Sequence, residues 1–373
     1  MPKGIKPRTT RFARVRGKRI GVLTAGGDCP GLNAAIRAVA KTAILNYGME
    51  VIGIKDGYLG LIENRYSLLS YNDVSGILTE GGTFLGSSNK ANPFRHRSPS
   101  GKFRDVSNAA LKNVKSMGLD ALVCIGGDGT LNIAYRLYKK GLKLVGVPKT
   151  IDNDLSATDV TIGFDSAVIT ATEAIDKLHT TAQSHHRVMV IEVMGRYAGW
   201  LALYAGVAGG GDIIILPEMP YDIKKVCQRV LERHGHGRRF SIVVISEGAR
   251  PKGGKMVVRK VVKDSTDPVR LGGIGNKIAN DIERITGLDS RVTNLGHLQR
   301  GGSPSPFDRM IATRLGSFAC DLVAKGNFGK MVAIKGRDVK AVDLKDAIKT
   351  LRRVDPKHPI IKSAISVGTS FGV

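Results

Sequence analysis

Short apolar runs alternate with amphipathic stretches along most of this chain. The runs at 19–24 (RIGVLT), 51–54, 120–125 (DALVCI), 143–147, 187–193 (RVMVIEV), 212–216 and 240–246 (FSIVVIS) are nearly continuous in apolar residues and rich in Val and Ile. Such runs predict strands buried on both faces, and therefore parallel sheet. Between them, apolar residues at helical spacing predict helices over 33–47, 105–117, 130–140, 165–182, 196–209, 222–234, 272–286 and 306–325. The alternation gives an α/β fold class, with enough elements for two doubly wound, Rossmann-like parallel-sheet domains. The expected organisation is a basic tail at 1–17, a first domain at 18–160 completed by about 300–350, and a second at 161–299 completed by the C-terminal segment. Residues 250–270 read as a solvated surface excursion.

In doubly wound sheets, ligands sit beyond the carboxyl ends of the strands. The Gly- and Asp-rich strings of this chain fall there. Gly26-Gly27-Asp28-Cys29-Pro30-Gly31 follows the first strand and precedes a helix. Its glycines let backbone N–H groups approach an anion, and a helix N-terminus favours negative charge. A purely structural turn fits that string equally well. Gly126-Gly127-Asp128-Gly129-Thr130 follows the strand at 120–125. There two glycines admit phosphate oxygens, and a carboxylate at a strand end can hold Mg2+. The same string recurs in kinases that lack the Walker loop, NAD kinases and diacylglycerol kinases among them. Lys149-Thr150-Ile151-Asp152-Asn153-Asp154 places two carboxylates on one strand-end loop. One can accept a proton while the other sits near a metal; an Asx-turn is the alternative. Later strings, Met194-Gly195-Arg196, Glu247-Gly248 and Arg291 to Arg300 with His297, supply groups that suit a sugar phosphate, because Arg binds phosphate through paired hydrogen bonds.

Charge and cysteine content narrow the field. The chain of 373 residues carries 57 Lys and Arg against 32 Asp and Glu, a net charge of +25. Eight of the bases lie in residues 1–19, with no acid among them. That tail reads as a solvated segment, and a positive cleft suits anionic substrates. No zinc-finger or RNP-like string accompanies the charge, which argues against nucleic acid as the main partner. No apolar run is long enough for a membrane span, and the N-terminus lacks the apolar stretch of a signal peptide. The cysteines, Cys29, Cys124, Cys227 and Cys320, form no CxxC pair, as expected of a cytoplasmic protein.

Taken together, GGDCPGLNAAIR, IGGDGT, PKTIDND, MGRYAGW and LGHLQRGGSP, in this order over roughly residues 18–325, resemble the phosphofructokinase family. The resemblance implies a glycolytic enzyme that phosphorylates fructose 6-phosphate at its C1 hydroxyl from ATP and Mg2+. It implies Asp152 as general base, Thr150 beside it at the sugar, and Arg196 at the transition state. Asp128 would engage Mg2+, with Asp154 close by. Gly27, Gly127, Gly129 and Thr130 would line the nucleotide phosphates. Met194, Gly195, Glu247, His297 and Arg300 would complete the sugar-phosphate pocket. Arg187 and Arg291 would reach the substrate of a neighbouring subunit, which implies a homo-oligomer, a tetramer or a dimer, of the kind that is often allosteric.

Two positions bear on the donor. Gly129 leaves space where pyrophosphate users of the family tend to carry an acid, and so favours ATP; Lys149 is the residue that pyrophosphate users tend to carry. Gly129 is the weightier of the two, because steric exclusion is hard to evade. Lys90 is the cation nearest the place where an Arg bridges donor and acceptor phosphates in bacterial members. The competing readings are a pyrophosphate-dependent phosphotransferase, another GGDGT kinase, and a nucleic-acid-binding protein.

Overall fold

In the computed structural model, which describes residues 17–98, 100–261 and 269–373, the apolar runs become the strands of two sheets. In chain order they are β1 (Arg19–Ala25), β2 (Glu50–Ile54), β3 (Tyr66–Leu69), the short hairpin β4 (His96–Arg97) and β5 (Phe103–Arg104), β6 (Ala121–Gly126), β7 (Leu144–Pro148), β8 (Val188–Val193), β9 (Ile213–Ile215) and β10 (Ser241–Ser246). A hairpin of β11 (Val258–Val261) and β12 (Val269–Leu271), then β13 (Ser290–Asn294), β14 (Lys330–Lys335) and β15 (Asp338–Asp343), follow. The helices are α1 (Leu32–Thr42), α2 (Tyr58–Glu63), α3 (Ser107–Ser116), α4 (Asp128–Lys139), α5 (Phe164–His185), α6 (Trp200–Ala208), α7 (Ile223–Gly235), α8 (Ile274–Thr286), α9 (Pro306–Ala324), α10 (Leu344–Ala347) and α11 (Pro359–Ser366).

The larger sheet has the order β15-β14-β7-β6-β1-β2-β3. Its five inner strands are parallel, while β15 and β3 close the edges antiparallel. The smaller sheet, β13-β8-β10-β9, is parallel throughout. Every residue of β6, β7, β8 and β10 is buried, as strands covered by helices on both faces must be. The strand order reverses between β1 and its neighbours β2 and β6, which opens a crevice at their carboxyl ends.

Two helix starts lock the sheets together. Ser305 caps α9 by accepting from Asp308 N–H at 3.0 Å, with Pro306 in the first turn. Buried Asp308 turns its carboxylate on the start of α5. It accepts from Gly163 N–H at 2.8 Å, Ser166 N–H at 2.9 Å and Ser166 Oγ at 2.6 Å. Its pKa is pushed up to about 6, by burial first, against the lowering effect of those bonds.

The structure departs from the pattern at its margins. Helix α4 begins at Asp128 rather than 130, and α6 at Trp200 rather than 196, so Arg196–Gly199 stay in a turn. Strands β3, β13, β14 and β15 add to the runs read as strand. The excursion at 250–270 contains β11 and β12, and its residues 262–268 lie outside the described residues, as does the basic tail apart from Gly17. Among the described residues no helix is long and apolar enough to cross a membrane.

Candidate active site

Six strand ends deliver the candidate chemistry to one cavity of about 730 Å³. From the larger sheet, β1 contributes Gly26–Asp28, β6 contributes Gly127–Thr130, and β7 contributes Lys149, Thr150, Asp152 and Asp154. From the smaller sheet, β8 contributes Met194 and Arg196, β10 contributes Glu247, and the segment after β13 contributes His297 and Arg300.

On the larger-sheet side, the turns approach other groups closely. A Cβ on Gly27 would stand 2.7 Å from Arg300 Nη1, which donates to Asp28 O at 3.0 Å, and would displace that guanidinium. A Cβ on Gly126 would collide with the Thr130 side chain at 2.3 Å. Gly129 differs: nothing lies within 4 Å of its missing Cβ, so the start of α4 faces open space. Free N–H groups of a helix start and its dipole favour an anion there. Buried Lys149 donates through Nζ to Ala25 O at 3.2 Å and to Gly27 O. It therefore ties the turn after β1 to the end of β7, and burial lowers its pKa.

The acidic loop carries the strongest electrostatic signature. Asp152 N–H donates to Thr150 Oγ1 at 3.1 Å. Asp152 Oδ1 is shut off from solvent and accepts no hydrogen bond from the described residues. Burial raises the Asp152 pKa, against the opposing pull of Arg300, Arg196 and Lys149. Asp154 is pushed up to about 7, by burial and then by the charges of Asp152 and Asp128. Burial also raises Asp128. Asp154, raised by the charges of two neighbouring carboxylates, marks a place where a divalent cation would relieve repulsion. No cluster of three or more potential ligands is assembled among the described residues. Mg2+ needs only one or two carboxylates, because water and phosphate complete its shell.

On the smaller-sheet side, Gly195 takes φ 134°, a conformation for glycine, and its carbonyl accepts from Ser246 Oγ at 2.5 Å. This fixes the turn that presents Met194 and Arg196. Met194 N–H donates to Gln299 Oε1 at 3.3 Å. Glu247, half-buried opposite Asp152, is pushed up to about 7, by burial first and then by Asp152.

Some candidate residues lie elsewhere. Gly195 shapes the wall without lining it. Lys90 is exposed and stands outside the lining, although its neighbours Asn89 and Ala91 belong to it. Arg187 and Arg291 both pair with Asp289, at the amino ends of β8 and β13. Six residues of β8 separate Arg187 from Met194, about 23 Å at the usual rise per residue. Neither arginine lines the cavity of its own chain. Conversely, the cavity wall includes Tyr58, Tyr197 and Leu351, which were not singled out from the sequence. Tyr58 is buried and donates to Thr130 O at 2.8 Å. Tyr197 stands within the MGRYAGW string, whereas nothing around Leu351 signals a site.

A family model described as Phosphofructokinase matches residues 19–323. The chain belongs to the phosphofructokinase family. It is 54% identical over 359 residues to "ATP-dependent 6-phosphofructokinase 2" of Clostridium perfringens, covering 95% of this chain and 98% of that one. It is 48% identical over 358 residues to "ATP-dependent 6-phosphofructokinase 1" of Synechocystis, with the same two shares. Among solved structures, phosphofructokinase from Saccharomyces cerevisiae superimposes with a TM-score of 0.75 at 34% identity, over 89% of this chain. This chain spans 45% of the length of that yeast chain. A pyrophosphate-dependent phosphofructokinase from Marinobacter aquaeolei gives a TM-score of 0.77 at 20% identity, over 95% of this chain and 92% of that one. At that identity the likeness speaks for the fold alone.

Proposed function

We propose that this phosphofructokinase-family chain transfers the terminal phosphoryl group of ATP to the C1 hydroxyl of fructose 6-phosphate, a step of glycolysis. One observation carries the reading: a solvent-shielded carboxylate oxygen, Asp152 Oδ1, stands between a glycine-lined helix start and a wall of arginine, histidine and glutamate. Relatives at about half identity are named ATP-dependent 6-phosphofructokinases, in agreement with it.

The residues divide the work. Gly27, Gly127, Gly129 and Thr130 receive the nucleotide phosphates at the start of α4. Met194, Arg196, Glu247, His297 and Arg300 hold the sugar phosphate. Asp152 accepts the hydroxyl proton, and its burial strengthens it as a base. Thr150, which accepts from Asp152 N–H, keeps the loop in place beside the sugar. Asp128, with Asp154 nearby, would hold Mg2+, which supplies charge neutralisation at the phosphates. A positioned base contributes about 10²–10⁴-fold.

ATP is favoured over pyrophosphate by the open space at Gly129 and by the bonding of Lys149. That ammonium is already engaged with two backbone carbonyls. Arg187 and Arg291, held at the strand ends remote from their own cavity, fit a homo-oligomer in which each reaches a neighbour's sugar phosphate. All four cysteines are buried and unpaired, which suits a cytoplasmic enzyme. The test is formation of fructose 1,6-bisphosphate from fructose 6-phosphate and Mg2+ with ATP or pyrophosphate. Turnover with ATP is the expected result; turnover with pyrophosphate alone would replace the donor assignment and leave the acceptor standing.

A further inference from the structure

The family match ends at residue 323, yet the chain beyond it returns to the cavity. After β14, β15 and α10 it reaches Leu351, which bridges Leu155 and lines the cavity wall. Arg352 then makes four contacts in two directions. Its N–H donates to Asp154 O at 2.7 Å, and its Nη1 to Asn153 O at 3.4 Å. Its guanidinium lies 4.3 Å from the centre of the Trp200 ring. Its carbonyl accepts from Trp200 Nε1 at 2.9 Å. Two residues on, Val354 N–H donates to Glu218 Oε1 at 2.8 Å, and the same oxygen accepts from Gly199 N–H at 3.0 Å.

These contacts bear directly on the acidic loop. Asn153 has φ 51°, in the left-handed region, and its Oδ1 accepts from Thr161 N–H at 3.1 Å. That side of the loop is anchored within its own sheet. The carbonyls of Asn153 and Asp154 are held by Arg352; their two peptide planes flank the Cα of Asp154 and set where its side chain emerges, two residues after Asp152. Trp200 is buried and opens α6, four residues after Arg196. A guanidinium stacked on a buried ring has little freedom, because its planar fork meets the ring face and the carbonyl at once.

We infer that Arg352 is a positioning residue for phosphoryl transfer: clamped on Trp200, it sets the Asp152–Asp154 loop in register with the Met194–Arg196 turn across the cavity. The residue touches neither substrate. Its side chain acts through the Asn153 carbonyl and the Trp200 ring, while its backbone N–H and carbonyl, which every substitution keeps, bond Asp154 O and Trp200 Nε1.

The inference rests on the proposed kinase function, and one set of assays separates the two. Wild type, Arg352→Ala, Arg352→Lys and Trp200→Phe are compared for kcat and for both KM values with fructose 6-phosphate, ATP and Mg2+. Misplacement by about 1 Å costs up to about 10²-fold, so Arg352→Ala is expected to lower kcat by about 10- to 100-fold. KM for ATP should stay within about twofold, since the phosphate-binding turns are untouched. Arg352→Lys keeps the charge over the ring but not the fork, and Trp200→Phe keeps the ring but not the donor. Each should fall between wild type and Arg352→Ala in kcat. Trp200 is the one tryptophan of the chain, so a red shift of its emission in Arg352→Ala reports the opened clamp. A folded Arg352→Ala enzyme with wild-type kcat overturns the inference, including the case where only its thermal stability falls. Should Arg352→Ala not fold, wild-type kcat in both Arg352→Lys and Trp200→Phe overturns it. A wild-type enzyme that does not phosphorylate fructose 6-phosphate defeats the functional reading, and the inference with it.

Discussion

Lys149 holds Gly27: its buried ammonium donates to the Gly27 carbonyl and, at 3.2 Å, to that of Ala25. The lysine is thus a brace between β7 and the phosphate-facing turn after β1. Replacing it by Met keeps the bulk and strands two carbonyl acceptors, at about 1–3 kcal/mol for each buried group left unpaired. Lys149→Met should lower the melting temperature and raise KM for ATP more than KM for fructose 6-phosphate. It should bring no gain with pyrophosphate. Steady-state assays with both donors check this; a variant that gains pyrophosphate turnover would assign Lys149 to donor choice instead.

Gly129 tests the donor from the other side. A Cβ there meets nothing within 4 Å, and an acid in the first turn of α4 is favourable to the helix. Gly129→Asp should therefore fold with unchanged or slightly higher stability. Its carboxylate enters the space assigned to the nucleotide phosphates and repels them. KM for ATP should rise by at least about tenfold, the equivalent of roughly 1.4 kcal/mol, while affinity for fructose 6-phosphate holds. Unchanged ATP kinetics would show that the space at Gly129 does not discriminate between donors.

Most inner strands were legible because burial on both faces leaves no polar alternation to obscure them: β1, β6, β7, β8 and β10 all fall within a residue or two of their apolar runs, whereas β14, inner and buried over Met331–Ile334, was not read. β13 was not, because it is an edge strand with exposed Arg291 and Asn294, so its polar string read as chemistry rather than as sheet. β15 is largely exposed along its length for the same reason. Within the cavity, the glycine and aspartate strings were legible because phosphate approach and metal binding restrict residue type. Leu351 and Arg352 were not. Their role depends on a return of the chain over some 200 residues to Asn153 and Asp154, and no local pattern encodes that. Tyr58 was hidden similarly, as a buried aromatic whose hydroxyl happens to meet Thr130 O.

Glu247 should give the sugar side a pH dependence near neutrality. Burial, and then the charge of Asp152, push its pKa up to about 7. Below that value the side chain is neutral; above it, the ionised form can accept a sugar hydroxyl with full charge assistance. The apparent affinity for fructose 6-phosphate should rise as pH increases through about 7. Glu247→Gln, neutral at every pH, should remove the inflection and fix affinity at the low-pH level. A variant that keeps the wild-type profile would place the titrating group elsewhere.

The proposed sharing of each site between subunits can be tested by complementation. Arg187 and Arg291 meet at Asp289, at the amino ends of β8 and β13, while the carboxyl ends of those strands feed the cavity. If each arginine serves a neighbouring subunit, Arg187→Ala removes one phosphate contact from every site. At about 1.5–3 kcal/mol for a charge-assisted hydrogen bond, KM for fructose 6-phosphate should rise by about one to two orders of magnitude, with KM for ATP unaffected. Asp152→Ser leaves every site without its base and should lower kcat by at least about 10²-fold. Refolded together, the two weak variants form mixed oligomers. A site built from the Arg187→Ala chain's own cavity and the Asp152→Ser chain's intact arginine has both groups restored. Activity at low fructose 6-phosphate in the mixture should exceed the sum of the separate variants. Strict additivity, with size-exclusion chromatography confirming mixed oligomers, would confine each arginine to its own chain.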